Sequence, residues 1–422
     1  MAQISTVKEL PDVNYRHNFI VNLLDGSFFW FGYSFIAPAV ILPLFVSHFT
    51  QNKLVIGLVA VMSTAGYFFP QLFTANWVER IAVKKNLPVN LGFFTERMPV
   101  LILPFSTLLA ISKPTLALVL MLTLFAWHSF GAGVVAVAWN SMIAKVIPVQ
   151  RRGVFMGLTT FIGTTTGILG AATAALLLDQ YAFPTGFAFC FAIAGAMIFI
   201  SWFFLALTRE QPDVNLKPPV SHRSYWGMLP GVLKRDANFR VYLLAQFLIT
   251  LGGMAWGFMA VYAAETWSLT DGKVGSFTTA ILVGQAMVNL LFGFIADRYG
   301  YKLILTISVF VAIMGLVLPL FVSQPNWLYL VFFLRGISSA GFFLSGLIVL
   351  EFSSADIRPT YIGLNNTLLG AINMISPIMG GVLAQSFGYP ILFIASASLA
   401  VTGFIVLISF VKEPRHALMK NS

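Results

Sequence analysis

Long apolar runs separated by short polar turns recur twelve times along this chain, and that pattern leaves very few folds open to it. The runs cover about 18–45, 54–77, 88–110, 115–143, 154–178 and 185–207, then about 239–264, 274–296, 302–322, 327–350, 361–383 and 390–411. Each is close to the roughly 20 residues that a helix needs to cross the hydrocarbon of a bilayer. A soluble core of this size would still need a polar exterior. Only 9% of the residues are Asp, Glu, Lys or Arg, against about 25% in a typical soluble protein. The expected class is therefore an all-α membrane protein with twelve transmembrane helices and the lipid bilayer as its first partner.

The basic residues orient it. With the N-terminus inside and the spans alternating, 20 of the 25 Lys and Arg fall on the inner side and three, Lys53, Lys113 and Lys273, on the outer. Arg97 and Arg335 lie within spans. Such an excess predicts a multi-pass protein of the cell membrane (a cell inner membrane) with both termini cytoplasmic. The first residues, MAQISTVKELPDVNYRH, read as a cytoplasmic tail rather than a cleavable signal. The net charge of +10 is spread over short turns instead of one folded basic face, so nucleic acid is not an expected partner. The single cysteine, Cys190, rules out a disulfide framework and a cysteine-based metal site. No metal or other cofactor is expected.

Residues 208–238 differ in kind, being rich in Pro and charge at TREQPDVNLKPPVSHRS. They divide the chain into a bundle at 1–207, a cytoplasmic linker at 208–238 and a second bundle with a tail at 239–422. Within the linker, Trp226, Leu229, Lys234 and Arg235 suit either a helix lying in the membrane interface or a plain connection. The halves repeat. Residue n matches n+206 between the fourth and sixth spans, as Arg152 with Arg358 and Pro184 with Pro390. After the second span of each half, Glu79, Arg80 and Lys84 match Asp297, Arg298 and Lys302. Repeated halves are the architecture of carriers that expose one central site to each side in turn.

GFIADRYGYK at 293–302 resembles the cytoplasmic signature G-x-x-x-D-R-x-G-R-K of the major facilitator superfamily, with Gly293, Asp297, Arg298, Gly300 and Lys302 matching. The first-half copy, ANWVERIAVK at 75–84, keeps Glu79, Arg80 and Lys84 but has Ala75 and Ala82 in place of both glycines. Arg335 with the following Gly336 is loosely similar to a signature more usual in the fourth span. Pro377, Gly380 and Gly381 are similar to the antiporter signature, although in the eleventh span rather than the fifth. The resemblance, to the bacterial-type twelve-span members with no subfamily singled out, implies two six-helix bundles related by a pseudo-two-fold axis, working as a monomer. It also implies that the charged cluster latches the cytoplasmic side when the carrier opens outward.

Asp25, Glu96, Arg97, His128 and Arg335 sit well inside spans, away from their ends, where each needs a partner or access to water. Glu96 and Arg97 read first as a buried structural network. Asp25 reads two ways: as a group that gains and loses a proton to couple transport to the gradient, or as a carboxylate satisfied by Arg97. Arg335 has no acid near it in sequence, and its planar fork suits a carboxylate or other anion; an interhelical salt bridge is the other reading. His128 titrates near neutral pH or simply hydrogen-bonds in the interior. Trp30, Tyr33, Trp127, Trp256 and Tyr262 line a cavity or face lipid. The glycine-rich runs 159–172 and 339–346 let helices approach closely, and Pro38 and Pro43 bend the first span.

The chain has no GxxxxGK[ST] loop, and no catalytic residue is expected. The leading reading is secondary active transport of a small organic solute by alternating access, coupled to protons, with the apolar Phe-rich spans tilting it toward efflux. One alternative is proton-coupled or facilitated uptake of an anionic metabolite. Another is a nontransporting receptor or scaffold built on the transporter fold.

Overall fold

The computed structural model describes residues 14–78, 80–212, 233, 235–352 and 358–414. Glu79, the side chain of Asp297, and the linker positions Trp226, Leu229 and Lys234 fall outside that description.

Twelve helices follow one another. In the first half they are α1 (Tyr15–Ser34, resumed at Ile41–Ser47), α2 (Lys53–Val78), α3 (short pieces from Leu87–Leu91 to Pro104–Leu108), α4 (Pro114–Val146), α5 (Val149–Gln180) and α6 (Thr185–Ala206). In the second they are α7 (Ala237–Gly252, resumed at Met259–Trp267), α8 (Asp271–Gly275 with Phe277–Tyr299), α9 (Tyr301–Val317) and α10 (Leu328–Ser345). The segment Arg358–Phe410 completes the set as α11 and α12, which part at Gly388, where φ is +81°.

Among the described residues, eight helical stretches are long and apolar enough to cross a membrane, one of them the joined α11–α12 segment. That joined segment holds two crossings, and α1 and α3 are interrupted. Helix α3 carries Pro88, Pro99 and Pro104, each of which removes a backbone donor, and its turns widen to π geometry at Leu87–Leu91 and Phe93–Arg97. The wide turn holds Glu96 and Arg97.

The first helix of each half is broken at the same place. Around Pro38, residues 35–40 leave the α-helix for tighter turns such as Phe35 N–H to the Gly32 carbonyl (3.2 Å). In α7 the Gly252–Gly253 pair opens a 3-10 turn over Gly253–Phe258. The breaks are offset by 218 residues, as are Arg80 and Arg298. The internal repeat thus extends to backbone irregularities.

Contacts between the halves concentrate at the lysine-poor end. Phe45, Phe187, Phe191, Phe258, Phe277 and Phe332, all fully buried, share one apolar cluster drawn from both halves. His48 Nε2 meets Asp271 Oδ2 at 2.9 Å, Lys53 pairs with Glu265, and the Lys53 backbone N–H donates to Gln385 Oε1 at 3.0 Å. Close backbones make this seal: a Cβ at Gly57 would come within 3.1 Å of the Pro377 carbonyl, and one at Gly272 within 2.7 Å of the Ala175 carbonyl. At the basic end the opposite holds. A Cβ added at Gly157, Gly293 or Gly370 would meet no atom within 4 Å. Among the described residues, the halves are sealed against each other at the lysine-poor end, whereas these three glycines toward the basic end face open space.

Candidate functional site

Beneath the seal, between the halves, lies a cavity of about 370 Å³. The two interrupted helices shape it, because their breaks carry Pro38 and Ala39 from α1 and Gly253, Met254 and Trp256 from α7 to its wall. Helix α2 adds Ser63 and Thr64, α7 adds Gln246 and Thr250, and α11 adds Asn365, Asn373 and Ser376. The wall is otherwise largely apolar, and among the described residues Arg335 from α10 is the charged residue on it.

Arg335 is partly exposed into this space, with its guanidinium carbon 5.0 Å above the Trp256 ring. Stacking on an aromatic face offsets part of the cost of holding a cation away from bulk water, but supplies no counter-charge. Among the described residues it forms no ion pair. The nearby Asn365 is buried and its Oδ1 has no hydrogen-bond partner. The cavity therefore offers a cationic fork, amide and hydroxyl groups, and an aromatic plate.

The other span charges gather in the first half, behind the cavity wall. Arg97 Nη1 lies 2.5 Å from Glu96 Oε1, and the guanidinium carbon sits 5.1 Å from the Phe29 ring. His128 Nδ1 is 2.7 Å from the Glu96 carbonyl and donates to it, its ring held between Tyr33 and Phe125. Asp25 is buried and its Oδ1 accepts from Ser201 Oγ at 2.6 Å. Asp25 lies in the field of both Arg97 and Glu96 but forms no direct ion pair with Arg97. Two carboxylates and one guanidinium thus share a buried site. Tyr33 connects it to the cavity, since its hydroxyl lies beside Ser63 of the wall and in the field of Glu96.

Of the three residues singled out as substrate or coupling candidates, Arg335 lines the cavity, while Asp25 and His128 face inward within the first half. Trp256 is the aromatic that reaches the wall; Trp30 packs on Gly163, Trp127 is exposed, and Tyr262 donates to the Pro319 carbonyl at 3.2 Å. Several signature residues have described contacts within their own halves. Gly300 turns the chain between α8 and α9 with φ +90°, and a Cβ there would also meet the Glu413 carboxylate at 2.8 Å. Lys302 Nζ donates to the Val411 carbonyl at 2.6 Å, Arg298 lies over Tyr299, and Lys84 Nζ donates to the Ile81 carbonyl at 2.5 Å. Arg80 is exposed on the turn after α2.

One residue had no place in the sequence reading. Glu210, at the start of the linker, has a fully buried side chain that accepts from the backbone N–H of Lys84 (3.0 Å) and Lys85 (2.7 Å) and from Lys145 Nζ (3.0 Å). It ties the α2–α3 turn to the ends of α4 and α6.

A family model for the Major Facilitator Superfamily matches residues 26–252 and 241–422, nearly the whole described chain. The chain belongs to the Major Facilitator Superfamily. An uncharacterized MFS-type transporter of Methanocaldococcus jannaschii is 26% identical over 71% of this chain and 72% of its own. The multidrug resistance protein MdtG of Citrobacter koseri is 23% identical over 66% of this chain and 68% of its own. Among solved structures, the nucleoside transporter NupG superposes with a TM-score of 0.66 at 14% identity, covering 94% of this chain and 99% of that one. The xylose transporter XylE from E. coli gives 0.66 at 13% identity over 95% and 99%. The all-α, twelve-helix membrane fold and the assignment as a transporter rather than an enzyme follow. A superfamily member moves a small solute across the membrane by exposing its central cavity to each side in turn.

Proposed function

We propose that this transporter carries a small organic anion, coupled to protons, through the cavity that Arg335 lines. This reading rests on the isolation of that guanidinium: a cation in the membrane interior with an aromatic plate beneath it and, among the described residues, no acid on the cavity wall. An anionic ligand supplies the missing counter-charge, and a carboxylate can take two hydrogen bonds from the planar fork. Asn365 Oδ1 and Gln246 then favour a solute that also bears a hydroxyl or amine.

Protons belong to the first half. Asp25, buried beside the Glu96–Arg97 pair, is the group that would carry the coupled proton, and Tyr33 with Ser63 leads from the cavity toward Glu96. The bundle at 1–207 thus holds the coupling group, the linker at 208–238 joins it to the bundle at 239–422, and the solute anchor sits in the latter. Both termini are cytoplasmic and the working unit is a monomer, so the basic, open end is the cytoplasmic one and the cavity faces inward. Glu79, Arg80, Lys84, Gly293, Asp297, Arg298, Gly300 and Lys302 form the latch that closes this end in the opposite state. A second reading, export of amphipathic solutes, draws on the similarity to a protein named for multidrug resistance.

Proteoliposomes with a pH-reporting dye inside test the first reading. Small organic anions added outside should move protons, while their neutral amide or ester analogues should not. Arg335→Gln should abolish the movement, and Arg335→Lys should retain part of it. Equal movement with neutral analogues would favour amphipathic export. Binding without flux for every anion would favour a receptor.

A further inference from the structure

A second cavity lies apart from the central one. A groove of about 850 Å³ runs along the outside of the sealed end, where α5 of the first half meets α8 and α10 of the second. Below the mouth its lining is apolar apart from Thr279: Leu176 and Ala172 descend one face from Asp179, and Ala280 and Val283 descend the other from Lys273, with Leu330 and Phe333 closing the side. From Lys273 to Val283 is ten residues, about 15 Å of helix rise. That is half of the roughly 30 Å hydrocarbon thickness, the depth of one leaflet.

The mouth of the groove is polar and carries both signs. Lys273 Nζ is held by Asn326 Oδ1 at 3.3 Å and lies 5.2 Å from the Tyr329 ring. Asp179 is exposed, and its Oδ1 accepts from Thr270 Oγ1 at 3.3 Å. Neither forms an ion pair among the described residues. The neighbouring Asp271 is already engaged by His48.

We infer that this groove binds one zwitterionic phospholipid with a primary ammonium, a phosphatidylethanolamine, from the leaflet at the sealed end. Its phosphate meets Lys273, its ammonium donates to Asp179, and one acyl chain fills the apolar length. The pairing of charges selects the headgroup. A phosphatidylglycerol brings no cation to Asp179, and the quaternary ammonium of phosphatidylcholine has no N–H to donate. The floor of the groove is the contact between Gly272 and the Ala175–Asp179 turn, so its walls belong to opposite halves. Rocking the halves apart at this end splits the site. A ligand that binds one state only shifts the equilibrium toward it, so an occupied groove favours the sealed conformation. The inference does not depend on which solute is carried.

Thermal unfolding of the full chain in detergent, with each lipid added in turn, tests it. Phosphatidylethanolamine should raise the unfolding midpoint more than phosphatidylcholine or phosphatidylglycerol. Lys273→Gln and Asp179→Asn should each remove that preference without moving the lipid-free midpoint. Leu176→Trp, which fills the groove, should remove the stabilisation while leaving the headgroup residues intact. Equal stabilisation by all three lipids, or a preference that survives both charge substitutions and Leu176→Trp, would overturn the assignment.

Discussion

The two halves treat buried charge in opposite ways. In the first half, Asp25, Glu96, Arg97 and His128 face one another behind the cavity wall, each held by a neighbour: Ser201 on Asp25, Arg97 on Glu96, and the Glu96 carbonyl on His128. In the second, Arg335 stands on the wall with an aromatic face in place of a counter-ion. A network whose charges are paired with one another makes a unit that the loss of one partner disturbs. A lone cation makes a site that only a ligand completes. The division suggests separate tasks for structurally repeated halves, and it can be broken from either side.

The largest effect is expected where the network loses one partner of its pair. Removing one member of a buried ion pair leaves the other uncompensated, at a cost of about 3–5 kcal/mol. Arg97→Met should therefore lower the unfolding midpoint sharply, and Glu96→Gln combined with Arg97→Met should recover much of it. If Arg97→Met unfolds like the parent, the first half is not a mutually dependent unit and the contrast between the halves fails.

Arg335→Gln should behave in the reverse sense. No partner loses its charge, so the midpoint should hold or rise. Anion affinity, read by ligand-dependent stabilisation, should fall by roughly 10–100-fold, the equivalent of a charged hydrogen bond worth about 1.5–3 kcal/mol. A large loss of stability with affinity intact would make Arg335 a structural group instead.

Ser201→Ala sharpens the first half at smaller scale. It leaves Asp25 Oδ1 without its hydroxyl donor, a cost of about 1–3 kcal/mol. It should lower the midpoint and alter proton movement in vesicles while leaving anion binding unchanged, because Ser201 lies in α6 and away from the cavity. A change in anion affinity without any change in proton movement would reverse the proposed roles.

How much of this was legible beforehand follows the physics of a chain in lipid. The twelve crossings could be read because hydrocarbon demands long apolar runs, and Pro38 announced the break in α1. The matching break in α7 rests on a Gly pair, which in an apolar run reads equally well as close packing. Arg335 stood out because a lone cation in such a run needs a reason. Asp25 and His128 stood out for the same reason, yet nothing could tell that they face α6 and α3 rather than the cavity. When lipid-facing and core-facing sides are both apolar, the helical periodicity that marks an inner face in a soluble protein is absent. Ser63, Thr64 and Gln246 were passed over because small polar residues serve helix contacts as often as ligands. Glu210 was missed because a charge in a Pro-rich connection reads as solvated, although here its side chain is fully buried.

The smallest expected effect concerns the seal that holds the two halves in register. Lys53 pairs with Glu265 across the halves and lies 5.1 Å from the Tyr389 ring, and the Tyr389 hydroxyl donates to Glu265 at 2.9 Å. An ion pair this close to water contributes about 1 kcal/mol at most, roughly a fivefold change in a two-state population. Lys53→Met should shift that population toward opening at the sealed end. The readout is a cysteine placed on the cavity wall by Ala39→Cys, labelled by an impermeant thiol reagent from that side; native Cys190 is fully buried and should stay silent. Labelling should quicken by no more than that factor, and saturating anion should change the rate in the parent but not in Arg335→Gln. Faster labelling in Lys53→Met together with an unaltered anion effect in Arg335→Gln would detach the second half's cation from the conformational cycle, leaving the seal alone to set which side is open.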